Sequence, residues 1–413
     1  MTKTLIALAL LMPIAALGQT PAAQLNTLQG NAASVINTNH HTFSSNGWDY
    51  WTAAPSYGNH PFIDATEMMM DGNWQLFTPL QIRHTYLAFL AHPNGSGAYP
   101  IDLNSDGSAD LYYSGCQGGS PLYYTADPLW FIPRLMLKYY QLTSDTTDIT
   151  TYIALLKAQF LDIPRNGSNH LVDAGGTSTS WISVGYEDGI KKTGDDLAGS
   201  VMYASSAYIM AQLYTAIGDS TNAATFTTDG NSIKTSLQGG ALWDSTDGMF
   251  YAASGLDNQI DIPYSAAASY FGIASTVQIA AIGAYLNTNY ASITNSGKGY
   301  IRASPTNWAS SWGGNQCGLG TGNYLDGYLS AWHQWVGYAL AQASVTKARQ
   351  LITDYLTYSD GTVQWIGQTG TQGAVNCPDA VSGPAAFAVT NTFLGTGQGV
   401  APKIQITAGA SLQ

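Results

Sequence analysis

Beyond residue 126 the apolar residues return at helical spacing in segments of roughly ten to twenty residues, and these segments come in pairs about fifty residues apart. This recurrence limits the chain to a few architectures. The spacing predicts helices over Asp127–Tyr140, Asp148–Phe160, Asp196–Ile217, Thr221–Leu237, Tyr264–Phe271, Ser275–Leu286, Leu325–Ala343, Val345–Leu356 and Pro384–Phe393. Asp before Pro128 is a good helix start, while Pro133 kinks that helix or shifts its beginning. Across the turn Gly218-Asp219-Ser220 two of the helices form a hairpin, the longer with Met202, Ile209, Leu213 and Ile217 on one stripe. The pairs do not repeat in sequence, so a closed toroid of helical hairpins fits better than a solenoid, whose repeats resemble one another. Alanines along many of the helices allow close approach, and the Gly-rich segments between them supply long loops that can build a cleft.

Upstream the pattern is weaker. Residues 1–18 read as a signal peptide, with Lys3, an apolar run over Leu5–Leu17 and the small-residue site Ala16-Leu17-Gly18. That run is shorter than the about 20 apolar residues a membrane span needs. An exported chain, secreted or periplasmic, with residues 19–413 as one domain is the expectation, and no membrane partner. Residues 19–72 read as irregular structure plus one helix, with His40, His41 and His60 as loop histidines lacking a third ligand at useful spacing. An apolar helical stretch follows Trp74-Gln-Leu-Phe-Thr-Pro79 and closes before Pro93. Asp102, Asn104, Asp106 and Asp110 then alternate around Gly107 like the start of a calcium loop. Tyr113 stands where that loop needs its bidentate Glu, so an Asx-rich turn competes with a structural calcium. No cofactor is otherwise required.

Charge narrows the partners. Charged residues make up 10% of the chain and the net charge is −12, which leaves no basic surface for a phosphate backbone and excludes nucleic acid. The three cysteines Cys116, Cys317 and Cys377 permit one bridge, for which Cys317 and Cys377 are the favoured pair, and none has zinc-site spacing. Asn94 and Asn166 begin glycosylation sequons, a short signal that also arises by chance.

Against this sparse background, Trp181–Asp196 packs three aspartates, a glutamate and two lysines into sixteen residues, although Glu67 and Glu187 are the chain's two glutamates. The 11 Trp and 26 Tyr include many at helix starts and in loops, Trp130, Trp181, Tyr186, Trp308, Trp312, Tyr324, Trp332 and Trp365 among them. Rings so placed suit the apolar faces of sugars, although burial in the core is the commoner role of any one of them. A monomer acting on a carbohydrate is the expectation. Glycosidic hydrolysis uses two carboxyl groups, one protonated. Asp188 fits the acid, because the adjacent like charge of Glu187 and aromatic surroundings raise a carboxyl pKa, an effect that Lys191 and Lys192 oppose if they face it.

The run Gly185-Tyr-Glu-Asp188-Gly-Ile-Lys-Lys-Thr-Gly194 resembles the Gly-aromatic-x-Asp…Lys-Thr-Gly segment of the six-hairpin glycosidase superfamily, the inverting (α/α)₆-barrel glycoside hydrolases. Similar segments follow in order: Trp74-Gln-Leu-Phe-Thr-Pro, Tyr124-Thr-Ala-Asp127-Pro, Leu242-Trp-Asp, Gln259-Ile-Asp-Ile-Pro-Tyr-Ser265, Gly322-Asn-Tyr-Leu-Asp-Gly-Tyr328 with Trp332, and Gly361-Thr-Val-Gln-Trp365. The resemblance implies an all-α (α/α)₆ barrel with minor β structure, Asp188 as general acid, and a sugar site lined by Asp127, Tyr186, Trp332, His333 and Trp365. Trp130, Glu187, Lys192 and Gln364 complete the candidate binding set. Two positions depart from the pattern. Gln364 stands where similar proteins often carry a Glu base, and Asp326 precedes Gly327 where they often read Asn-Gly. A base moved to Asp326 needs about 6.5–9.5 Å to Asp188 to admit a water; a lost base leaves a carbohydrate-binding protein on the same fold. A polysaccharide lyase or sugar epimerase is the third alternative, since helical toroids carry those reactions too.

Overall fold

A computed structural model describes residues 22–52, 59–95, 97–112, 126–174, 192–255, 259–306, 327–359, 365–366 and 384. The signal peptide, the three cysteines and all of Pro384–Phe393 beyond Pro384 lie outside them. Twelve α-helices occur among the described residues. They are α1 (Ala22–Thr38), α2 (Ile63–Asn73), α3 (Pro79–Leu90), α4 (Asp127–Thr143), α5 (Thr147–Asp162), α6 (Leu197–Ala216), α7 (Ser220–Gln238), α8 (Ile262–Tyr270), α9 (Thr276–Thr288), α10 (Tyr290–Ile293), α11 (His333–Ala341) and α12 (Val345–Ser359). None is long and apolar enough to cross a membrane.

Burial sorts the helices into two kinds. In α4 the first twelve residues are all buried, and α6 is buried on every side along most of its length. By contrast α5 buries Asp148, Ile149, Ile153, Leu156 and Phe160, and α7 buries Phe226, Gly230, Ile233 and Leu237, each a single stripe at three- and four-residue steps. Helices apolar all round belong inside and one-striped helices outside. Accordingly α2, α4, α6, α8 and α11 touch one another in succession, while α3, α7, α9 and α12 each pack on an inner neighbour and α1 contacts both α2 and α12. The fold is an all-α (α/α)₆-type barrel of helical hairpins with little β structure.

Connections from an inner helix to the next outer one are brief: residues 74–78, 144–146, 217–219, 271–275 and 342–344. Strong local signals close them. Thr78 and Gln81 form a capping box ahead of α3, Ser275 and Gln278 another ahead of α9, and Asp219 caps α7. The return connections are long, and they hold the β structure before α11: β1 (His40–Thr42) with β2 (Asp49–Trp51), β3 (Asp102–Leu103) with β4 (Ala109–Leu111), β5 (Trp243–Asp244) with β6 (Met249–Phe250), and β7 (Ile301–Arg302) with β8 (Tyr328–Leu329). β9 (Trp365–Ile366) adds to β8, pairing Leu329 with Trp365.

One device recurs at the start of the inner helices. The N–H of the first residue of α2, Ile63, donates to Ile101 O in the connection before α4. Leu197 of α6 donates to Ala252 O in the connection before α8, and Ile262 of α8 to Ala303 O in the connection before α11. Each bond uses a helix-start donor that has no partner within its own helix. Together they hold the long connections and the inner-helix N-termini at one end of the ring.

Sequence and structure differ in three places. Residues 19–72 hold two helices, α1 and α2, rather than one. The helix expected over Leu325–Ala343 is shorter: Tyr328 and Leu329 form the central strand of β7-β8-β9, whose pairing to two neighbours outweighs the local helical pattern, and α11 begins at His333. Pro133 neither ends nor delays α4. Having no N–H, it cannot donate to the Leu129 carbonyl, a loss that packing on all sides of this helix outweighs.

Glycine is required where the ring closes on itself. Gly299 has φ of 73°, and a Cβ there would lie 2.3 Å from the Tyr355 backbone nitrogen of α12. Gly218 has a similar φ of 79° but open space around it. Gly218→Ala should therefore cost only the left-handed strain, about 1–2 kcal/mol, and Gly299→Ala clearly more, because α12 must also shift. Urea unfolding of the two variants checks this; equal losses would show that the contact with α12 contributes nothing.

Candidate active site

The loop end of the ring carries a buried ion cluster. Asp196 caps α6, accepting from the Ala198 and Gly199 N–H groups, and Asp261 caps α8, accepting from the Tyr264 N–H. Lys192 lies between them, its Nζ 3.4 Å from Asp196 Oδ1 and 3.8 Å from Asp261 Oδ2, with all three side chains at most 3% exposed. Burial pushes the Asp196 carboxyl up, and Lys192 with the two N–H groups pulls it back. The cluster fixes the starts of α6 and α8 relative to one another.

From this cluster an aromatic wall descends into the ring. Lys192 Nζ stands 5.4 Å over the Tyr264 ring, Tyr264 and Trp335 lie 5.5 Å apart, Trp335 and Phe271 5.9 Å, and the Arg134 guanidinium sits 4.8 Å from the Phe271 ring centre. Arg134, Phe271 and Trp335 line a small, partly open pocket together with Glu67 and Asp71 of α2, Met202 of α6 and Gln334 of α11. Arg134 donates through Nη2 to Ser205 Oγ at 2.8 Å. Glu67 is buried, its Oε1 has no hydrogen-bond partner among the described residues, and burial, followed by the charge of Asp71, pushes its carboxyl up to about 8 despite Arg134. A carboxyl held protonated near neutral pH beside an apolar wall is a proton donor by composition.

The residues expected from sequence fall into three groups. Asp188, Tyr186, Glu187, Asp326 and Gln364 lie outside the described residues, and of Trp365 only the backbone, paired to Leu329, is described. Lys192 is locked between two helix caps, and Asp127 is buried in the first turn of α4. Trp130, Trp332 and His333 are packed into the protein. Trp130 meets Phe160 and Tyr203 edge-on at 5.6 and 5.9 Å. His333, fully buried, bonds through Nε2 to the Gly299 carbonyl and stands edge-on to Tyr355, and burial pulls its imidazole down to about 4, so it is neutral at pH 7. Of the four residues read as a calcium loop, Asn104 and Asp106 are used in the β3-β4 turn: Asp106 accepts from Ser108 N and Oγ, and Asn104 donates to Ser108 Oγ and Ala109 O. Asp102 and Asp110 instead meet His60, one of the three histidines read as loop residues.

Glu67, Asp71, Arg134, Gln334 and Trp335 were not legible as a group. A signal existed all the same: Glu67 is one of two glutamates and is followed by three methionines, and Arg134 is the lone cation between Ile132 and Leu137. A charge on an otherwise apolar inner helix is rarely buried without a role.

No protein-family profile and no curated protein matches the chain. Solved structures do. A family 78 rhamnosidase of a Bacillus species is similar at TM-score 0.60 and 11% identity over 92% of this chain, which spans 35% of that longer protein. A family 63 mannosylglycerate hydrolase from Thermus thermophilus, in complex with glucose, is similar at TM-score 0.57 and 10% identity, over 86% of this chain and 98% of the hydrolase. A glycosidase variant, also in complex with glucose, is similar at 0.58 and 12%, over 89% and 98%. The chain thus has a six-hairpin glycosidase-like fold.

The raised Glu67 carboxyl makes stability depend on pH. Between its unfolded value near 4.5 and its folded value near 8 the folded state holds a proton that the unfolded state releases, so stability falls as pH rises through that window. Glu67→Gln should remove this slope and gain on the order of 2–4 kcal/mol at pH 8 with little change at pH 4.5. Urea midpoints of both proteins at the two pH values check it; parallel pH profiles would show that Glu67 ionises normally.

Proposed function

We propose that the chain is an exported, monomeric glycoside hydrolase acting on a neutral carbohydrate with inversion, Asp188 protonating the leaving oxygen and Asp326 activating water. The observation that carries this reading is the Lys192 cluster. Four residues after Asp188 in sequence, the chain is pinned between the caps of α6 and α8, at the end of the ring where the long connections gather. A loop that supplies an acid needs such a fixed anchor. Asp326 stands in sequence just before Gly327 and β8, the central strand of the three-stranded sheet, and that nearness to a paired strand supports a role as the second carboxylate. The glycosidases of similar fold support a sugar substrate, and the net charge of −12 favours a neutral one over a polyanion.

Glu67 favours a second reading, in which the proton comes from the pocket instead. Its buried, raised carboxyl, with an oxygen unpartnered among the described residues, is what an acid requires, and Arg134, Gln334 and Trp335 bring polar groups and an aromatic ring beside it.

Reducing-sugar release from a panel of neutral oligo- and polysaccharides, with the anomer of the first product followed by NMR, separates these readings. Asp188→Asn and Asp326→Asn should each lower kcat at least about a hundredfold, the usual scale of a lost acid or base, and Glu67→Gln should leave kcat within a few-fold. Loss in Glu67→Gln with activity kept in Asp188→Asn selects the pocket acid. Binding without release in the wild type selects a carbohydrate-binding protein, and an unsaturated product a lyase.

A further inference from the structure

The His60, Asp102 and Asp110 side chains converge at the loop end, on the connections that lead into α2 and α4. The segment before α2 runs as an added strand beside β3: Phe62 bridges to Asp102, and Leu103 N donates to Pro61 O at 3.3 Å. On the other side β3 pairs with β4 through a bulge, Asp102 opposite Leu111 and Leu103 opposite Ala109, so that Asp110 is the extra residue. A bulge re-aims the side chain it carries. Here Asp110 Oδ2 comes within 3.3 Å of His60 Nδ1, and Asp102 Oδ2 lies 3.3 Å from the same nitrogen. One donor atom from each of the three residues falls within 4.8 Å of the others.

Asp102 and Asp110 hydrogen-bond each other as well as meeting His60, so two carboxyl groups share one imidazole. One imidazole brings at most a single positive charge to two carboxylates. Asp102 is 2% exposed, its side chain points into the cluster, and its Oδ1 is buried with no hydrogen-bond partner among the described residues. An unmet carboxylate oxygen in such a place costs about 1–3 kcal/mol or more, and Oδ2, the oxygen that faces His60, is the one placed to bind a cation. Spacing is compatible with one shared ion, and the donor types indicate its kind. Two ligand atoms on one tetrahedral ion, each about 2.0–2.2 Å from it, are separated by about 3.3–3.6 Å, which matches the distance from the histidine nitrogen to either oxygen. Calcium prefers six to eight oxygens, whereas one imidazole with two carboxylates suits zinc and neighbouring first-row ions.

We propose that His60, Asp102 and Asp110 bind a divalent transition-metal ion of the zinc class, which fastens the connection before α2 to the β3-β4 hairpin. His60 and Asp110 reach the surface, so the fourth position is open to water from outside the ring. Asn104 and Asp106 hold the turn and take no part.

The test uses the full chain, freed of metal with a chelator and titrated with Zn²⁺ by calorimetry, with Co²⁺ as an absorbing probe and Ca²⁺ as the competitor. One equivalent of Zn²⁺ should bind with a rise in Tm, and Co²⁺ should give visible bands that Zn²⁺ abolishes. His60→Gln and Asp110→Asn, both at partly exposed side chains and so expected to fold, should each weaken Zn²⁺ binding at least tenfold, while Asp106→Asn leaves it unchanged. Circular dichroism confirms folding of each variant. The proposal is overturned by the absence of saturable Zn²⁺ binding, by binding that survives both substitutions, or by tighter binding of Ca²⁺ than of Zn²⁺.

Discussion

The loop end of the ring rests on a lysine buried between two helix caps. Each cap carboxylate already accepts backbone N–H groups at the start of its helix, so Lys192 completes two charges that the helices themselves orient. Taking three charges out of water is costly, and the attraction among them roughly repays that cost. The upward push on Asp196 reflects the same balance. The cluster therefore contributes geometry more than net stability. It sets the spacing of α6 against α8 at the level where the chain from residues 175–191 re-enters the described structure.

This rigidity continues around the ring by a different means. At α2, α6 and α8 the first helical N–H is taken by a carbonyl of the connection leading to the next inner helix, so each hairpin's start is tied to its successor's entry. Nothing in that device depends on side-chain identity. A backbone pattern, together with apolar inner helices and one-striped outer ones, can persist while most residues change. Neighbours at 10–12% identity therefore share the architecture, and the architecture alone does not determine which bond, if any, is broken.

The helical alternation was legible in sequence because periodicity and capping are local: Asp196, Asp219 and Ser275 each announce the helix that follows them. What escaped depends on contacts far apart in the chain. Tyr328 and Leu329 became strand because β7 and β9 flank them, and His60 gained its two carboxylates from residues 42 and 50 positions later, brought in by a bulge that no local pattern encodes. Trp130, Trp332 and His333 look like sugar-site residues in sequence, since aromatic and imidazole groups at helix starts serve binding and packing equally well. In this ring those positions face neighbouring helices, where His333 meets Tyr355 and Trp130 meets Phe160. The residue types were compatible with either role, and their direction, which sequence does not carry, decided it.

Burial and nearby cations together set the carboxyl chemistry of the ring. Hydrolysis with inversion needs one carboxyl protonated and another ionised, with a water between them, and so needs environments that differ. At the loop end burial raises the Asp196 carboxyl, and Lys192 with the helix-start N–H groups pulls it part of the way back. Along the wall from Tyr264 through Trp335 and Phe271 the surroundings become apolar, and at Glu67 desolvation outweighs the single cation Arg134. At both places burial raises the carboxyl and a nearby cation offsets it, so the ionisation state follows from the balance of the two rather than from depth alone or from any particular substrate.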